Sequence, residues 1–159
     1  MSIGVGDRIP EVDLRVLGQS GPEKVKSTDV LGKGRVVLFA VPGAFTPGCS
    51  KIHLPGFVQR AEELTAKGVD TIACIAMNDP WVMDAWGKDQ QVGDKILMLS
   101  DDGSFTEAMG LVMDGSAFGL GNRSKRYAAV IEDGVIKNLD VEPGGGVEVS
   151  SCEAVLSRL

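Results

Sequence analysis

The chain has 159 residues, 43% of them hydrophobic and 24% charged, which is material for one domain over residues 1–159 with a sizeable core and excludes a disordered chain. Its formal charge of −6 argues against nucleic acid or an anionic membrane as the main partner, so any basic residue that matters acts singly. No apolar run approaches the ~18–20 residues of a spanning helix, and the start, MSIGVGDRIPEVDL, lacks a signal peptide's basic head and apolar core; no membrane association and a cytoplasmic location are expected.

Val12, Leu14 and Val16 alternate with polar residues, which predicts a half-buried strand and a turn at 18–22, together an N-terminal peripheral hairpin. The continuous apolar run 36–41 predicts a central strand covered on both faces, ending at Pro42-Gly43. Thr46 followed by Pro47 reads as an N-cap with proline at the first helical position, opening a helix that runs to Lys67 and stops at Gly68. Pro55 falls inside that helix and predicts a kink there. Residues 69–77 form a second buried strand, and Asn78-Asp79-Pro80 caps a helix carrying Trp81, Val82, Ala85 and Trp86. A third strand covers 96–99, followed by Ser104 and Glu107 as a capping box for a short helix. Residues 115–121 read as a glycine-rich loop. Runs at 127–131 and 135–141 flank Asp133-Gly134, a two-residue hairpin signal. Beyond a flexible linker at 143–146, Ser150 and Glu153 form another capping box before a terminal helix with Cys152, Val155, Leu156 and Leu159 on its apolar side.

Strands alternating with helices, then a hairpin and a last helix, specify an α/β fold of thioredoxin-like type, with a central mixed sheet flanked by helices. In that arrangement the reactive site lies where the first core strand gives way to its helix, here Pro42 to Cys49. Cys49 falls in the first helical turn, where unpaired N–H groups and the helix dipole stabilise a thiolate. Three cysteines, an odd number with no close pair, fit a reducing compartment better than a disulfide scaffold.

Several chemistries compete for Cys49. Thioredoxin-type dithiol exchange is excluded, because Ile52 stands where the second thiol is required. Phosphate transfer lacks a glycine-rich anion loop ending in arginine. A cysteine hydrolase has His53, the only histidine, as base but no orienting partner or oxyanion hole. Zinc held by Cys49, His53 and Cys74 or Cys152 lacks a second ligand pair, so no metal is expected. His53 reads more simply as a hydrogen-bonded helix residue. What remains is a lone thiolate that attacks a small electrophile, with peroxide the natural candidate.

The segment Pro42-Gly43-Ala44-Phe45-Thr46-Pro47-Gly48-Cys49-Ser50 resembles the peroxiredoxin signature Pro-x-x-x-Thr-x-x-Cys. Its continuation Lys51-Ile52-His53-Leu54-Pro55-Gly56-Phe57 is similar to the type II, or peroxiredoxin-5-like, subfamily. The resemblance extends through Asn78-Asp79-Pro80-Trp81-Val82 and Gly121-Asn122-Arg123 to Val141-Glu142-Pro143. It implies a thiol-dependent peroxidase that reduces hydrogen peroxide and organic hydroperoxides through a sulfenic acid at Cys49, without a bound cofactor. The Thr46 hydroxyl and backbone N–H groups around Gly48 and Cys49 would meet the peroxide oxygens, and Pro42, which has no N–H, would shield the thiolate. Arg126 is the family's thiolate-stabilising cation; read alone, it is one residue of the basic cluster Arg123-Ser124-Lys125-Arg126.

The sulfenic acid must be returned to thiol by another thiol. Cys74 lies inside a strand and reads as structural. Cys152 follows a mobile linker yet lies on an apolar stripe. Some type II members carry a resolving cysteine in this C-terminal region, a few residues before Cys152 in register, and others use glutathione or glutaredoxin. External recycling by glutathione and glutaredoxin is therefore expected, with thioredoxin acting on a disulfide to Cys152 or Cys74 as the alternative. A small thiol is expected to avoid the structural opening that an internal bridge needs. A homodimer through the apolar segment 117–120 is also expected. Two other classes stay open: an idle thioredoxin-fold binding module, and a peroxide sensor signalling through Cys49.

Overall fold

Every residue from Val36 to Ala40 is buried, as a strand covered on both faces requires. The structure, a computed structural model, describes residues 3–144 and 146–159. Its strands are Asp13–Gly18 (β1), Gly21–Lys26 (β2), Arg35–Ala40 (β3), Thr71–Ala76 (β4), Leu97–Ser100 (β5), Val112–Asp114 (β6), Asn122–Ser124 (β7), Tyr127–Glu132 (β8) and Val135–Val141 (β9). Its helices are Ser27–Val30 (α1), Leu54–Gln59 (α2), Ala61–Ala66 (α3), Pro80–Asp89 (α4), Ser104–Met109 (α5) and Cys152–Ser157 (α6).

The main sheet has seven strands in the order β2-β1-β5-β4-β3-β8-β9. β3, β4 and β5 are parallel, whereas β8 runs antiparallel to both β3 and β9. This is the mixed, thioredoxin-like sheet expected from the order of elements. The N-terminal hairpin forms the sheet edge, joined to β5 through Arg15 and Ser100. Alternation along β3 sends Val37 and Phe39 into one apolar layer with Leu54, Phe57 and Trp86, and Val36 and Leu38 into the other with Phe105 and Tyr127. Phe39 stacks on Phe57 with centroids 4.0 Å apart and planes within 3°. That contact clamps α2 on the sheet, and truncating either ring to alanine would cost about 3–5 kcal/mol.

The helix expected to follow the Thr46 cap to Lys67, kinked at Pro55, begins at Pro47 and is in pieces. A widened π-helical turn spans Cys49–His53, α2 follows, and the chain breaks at Arg60 (φ −113°, ψ 18°) before α3. Pro55 stands in the first turn of α2, directly after the wide turn, which departs from the i→i−4 ladder that a proline would disrupt. Gly68 ends α3 with φ +88°, as its place in the sequence requires.

The caps are partly reassigned. Asp79 accepts the Val82 N–H at 2.9 Å, as expected. Ser104 does not cap α5; the buried Asp101 carboxylate takes the N–H groups of Gly103, Phe105 and Thr106. Ser151 rather than Ser150 caps α6, accepting from Ala154 N–H at 3.1 Å. The 115–121 loop is the tip of a ribbon made by β6 and β7, strands of three residues that are too short to show alternation. Asp133 (φ 48°) and Gly134 (φ 83°) make the predicted hairpin turn. Of the 143–146 linker, Gly145 lies outside the described residues.

Candidate active site

The chain leaves β3 at Val41 and turns over the end of β4. Asn78 Oδ1 accepts the Ala44 N–H at 2.9 Å and fixes the turn, and Phe45 adopts the left-handed region at φ 65°. For a residue with a Cβ that conformation costs about 1–2 kcal/mol. Thr46 follows, and its hydroxyl donates to the Gly43 carbonyl at 2.7 Å. Thr46 stands at the N-cap position with Pro47 the first helical residue, as expected, and its carbonyl accepts the Ser50 N–H at 2.9 Å, but its side chain accepts no helix N–H. With its single proton engaged, the hydroxyl presents lone pairs, so Thr46 is poised as an acceptor towards the peroxide oxygens it is expected to meet.

Cys49 opens the π-helical turn and is fully buried. Arg126, just before β8, donates from Nη2 to Cys49 Sγ at 3.1 Å. Gly48 eases this approach: a Cβ there would lie 3.2 Å from Nη2, tighter than an ordinary contact. Pro42, Thr46, Gly48 and Arg126 line one cavity of about 790 Å³ whose wall is extended by Met113, Phe118 and Leu120. All the residues expected at the site thus converge, with the sulfur beneath the cavity floor. Arg126 is 8% exposed, which removes it from the solvated cluster that its neighbours suggested.

Arg123, Glu142 and Ser150, which sequence reasoning did not place here, also contribute. Arg123 donates from Nη1 to the Pro42 carbonyl at 3.3 Å and from Nε to the Leu120 carbonyl at 3.1 Å, tying the β6–β7 ribbon to the active-site turn. Gly43 makes room for it, since a Cβ would sit 3.1 Å from Nη1. Glu142 Oε2 accepts from the Ser150 N–H at 2.8 Å, the Ser150 hydroxyl at 2.6 Å and the Glu148 N–H at 2.7 Å. Burial by itself would raise the Glu142 carboxyl, but these bonds hold it below the usual carboxylate value. The only sequence signal for Arg123 and Glu142 was their place in the segments shared with peroxiredoxins.

His53 is buried in contact with Arg126, with Nδ1 2.9 Å from Nη1 and Nε2 2.8 Å from the Ser150 carbonyl. A carbonyl only accepts, so Nε2 carries the proton and Nδ1 accepts a hydrogen bond from the guanidinium. Burial, and then the Arg126 charge, lower the imidazole from 6.5 to about 4, so it is neutral near pH 7. Both ring nitrogens are engaged, which leaves neither to act as a base on Cys49 or to bind zinc.

The other thiols have no such surroundings. Cys74, in the middle of β4, is fully buried, and burial followed by the proximity of Cys49 raises it well above an ordinary thiol. Cys152 is buried on α6 and is pushed up to about 11, chiefly by burial.

The redoxin family matches residues 4–156. Peroxiredoxin-2E, chloroplastic, of Arabidopsis thaliana is 48% identical over 163 residues, covering 99% of this chain and 70% of that protein. Peroxiredoxin-2B of the same plant is 42% identical over 159 residues, covering 99% and 98%. The chain belongs to the redoxin family, as a peroxiredoxin. The crystal structure of reduced Prx3 from Vibrio vulnificus, in complex with hydrogen peroxide, superposes with a TM-score of 0.93 at 46% identity, covering 98% of each chain. The fold expectation is met, and the type II resemblance agrees with these relatives. As a peroxiredoxin, the protein is a thiol-dependent peroxidase: it reduces peroxide, takes its electrons from a thiol co-substrate and needs no prosthetic group.

Proposed function

We propose that Cys49 is the thiol that peroxide oxidises, with Arg126, Thr46, Gly48 and Pro42 forming its reaction site. The observation that carries this reading is the 3.1 Å contact between Arg126 Nη2 and Cys49 Sγ at the start of a helix. The thiolate attacks one peroxide oxygen, forming S–O as O–O breaks, and the other oxygen leaves as hydroxide or alkoxide that takes up a proton. Thr46 Oγ accepts the peroxide O–H and thereby orients it. Arg126 and the backbone N–H groups of Gly48 and Cys49 at the helix start meet the growing charge. The cavity's apolar wall of Met113, Phe118 and Leu120 suits organic hydroperoxides as well as hydrogen peroxide. Cys49→Ser should abolish peroxide consumption with the fold intact, and persistent turnover would refute the assignment.

Glutathione with glutaredoxin is proposed as the reductant. Glutathione displaces water from the sulfenic acid to give a Cys49 mixed disulfide, and a second thiol then releases Cys49. The support is that Cys74 and Cys152 are both buried and raised by burial. The sequence-based argument that a small thiol avoids opening the structure does not survive, since Cys49 is itself fully buried; local opening of the π-helical turn precedes either route. Cys74→Ser and Cys152→Ser should keep near wild-type turnover with glutathione and glutaredoxin. A Cys49–Cys152 or Cys49–Cys74 disulfide in oxidised wild type, with activity lost on removing that partner, would establish the thioredoxin-type alternative.

A homodimer through residues 117–120 is proposed because Phe118 is 84% exposed at the ribbon tip beside the cavity instead of tucked into its own core. Phe118→Asp should lower the sedimentation coefficient towards that of a monomer, and an unchanged value would exclude this surface. The cytoplasm is the proposed compartment, with cell fractionation as its test.

A further inference from the structure

Arg126 has a second job besides contacting Cys49, because it is held from both ends by one closed circuit of hydrogen bonds. Its backbone carbonyl accepts the Glu142 N–H at 2.9 Å. The Glu142 carboxylate gathers the N–H and hydroxyl of Ser150 at 2.8 and 2.6 Å. The Ser150 carbonyl receives His53 Nε2–H at 2.8 Å, and His53 Nδ1 receives Arg126 Nη1–H at 2.9 Å. The imidazole is also tilted against the rings of Phe39 and Phe57, at 5.0 and 5.6 Å between centroids, so its plane is fixed.

We propose that His53 is a positioning residue for peroxide reduction: it pins one arm of the Arg126 guanidinium so that the other arm is aimed at the Cys49 sulfur, and Glu142 with Ser150 holds His53 in place. The inference rests on Cys49 and Arg126 being the reacting pair. Arginine's long side chain has many rotamers, and a buried acceptor with one fixed direction selects among them. Neutral imidazole suits this role because its Nδ1 lone pair faces the cation; protonation there would set two cations against each other. Catalytic groups tolerate little misplacement, so loosening this hold should slow the chemical step.

The test measures single-turnover oxidation of Cys49 by hydrogen peroxide and the pH midpoint of thiolate formation in folded variants. His53→Leu should slow oxidation about 10-fold and move the midpoint upwards. His53→Asn, whose amide oxygen takes the place of Nδ1, should restore most of the rate. In an Arg126→Gln background, His53→Leu should cost less than about 2-fold, because a residue acting only through Arg126 has nothing left to position. Should His53→Leu fail to fold, Glu142→Gln carries the same comparison, slowing wild type several-fold and the Arg126→Gln protein not at all. Wild-type kinetics in folded His53→Leu, no rescue by asparagine, or full additivity with Arg126→Gln would overturn the proposal. A wild-type rate in Arg126→Gln alone would instead overturn the site assignment on which it rests.

Discussion

Cys49 and Cys74 are both fully buried and belong to the same apolar layer, yet their surroundings differ. Cys74 sits mid-strand opposite Phe39, and burial raises its thiol. Cys49 sits at a helix start with the Arg126 guanidinium 3.1 Å from its sulfur. On the proposed assignment it is the nearest charge and the helix start, not exposure, that set Cys49 apart from Cys74.

Taking the cation away should make the two thiols alike. Arg126→Gln is expected to lower the rate of peroxide attack by about 10²–10³-fold and to shift thiolate formation to higher pH. An unmoved pH profile would remove Arg126 from the comparison. A smaller effect comes from the peroxide's acceptor. Thr46→Val should cost about 1–2 kcal/mol in the barrier whereas Thr46→Ser should be mild, and equal rates for the two would show that the hydroxyl is idle. Gly48→Ala sharpens the contrast further, since its methyl would lie 3.2 Å from Nη2. A modest loss of rate is expected, with Cys74 unaffected in thiol labelling.

Acid should act on the Cys49 region before the Cys74 strand. His53 is lowered from 6.5 to about 4 by burial and by Arg126, so the unfolded chain binds more protons between those values and stability falls as pH drops through that window. The full loss is about 3 kcal/mol. Glu142, held below 4.5, adds to the loss at the acid end as its carboxylate takes up a proton. Denaturant midpoints measured from pH 7 to pH 4 should drop for the wild type and stay flatter for His53→Asn; parallel curves would show that His53 is not the group responsible.

Much of this was legible in the sequence. The β3 run, the Asp133-Gly134 turn and the Asp79 cap are local patterns, and each is where it was expected. The site's core from Pro42 to Cys49 was legible because it is one continuous segment. Arg126 was legible only through the family resemblance, since its burial depends on a sheet that brings residues 49 and 126 together. The circuit of Glu142, Ser150 and His53 joins residues 97 apart in sequence through a backbone carbonyl, which no residue pattern announces. The π-helical turn was missed for a related reason. Pro55 signals a disrupted ladder, but the sequence does not show whether the chain answers by bending or by widening the turn before it.

The most direct test is peptide mapping by mass spectrometry after a single equivalent of hydrogen peroxide is added to reduced protein with no thiol present, using a reagent that traps sulfenic acid. The label should fall on Cys49, with Cys74 and Cys152 still reduced, and it should disappear from Cys49 when Arg126→Gln is treated for the same short time. Label on Cys74 or Cys152 with Cys49 unmodified would contradict the claim that the helix start and its arginine, rather than burial or exposure, select the reacting thiol.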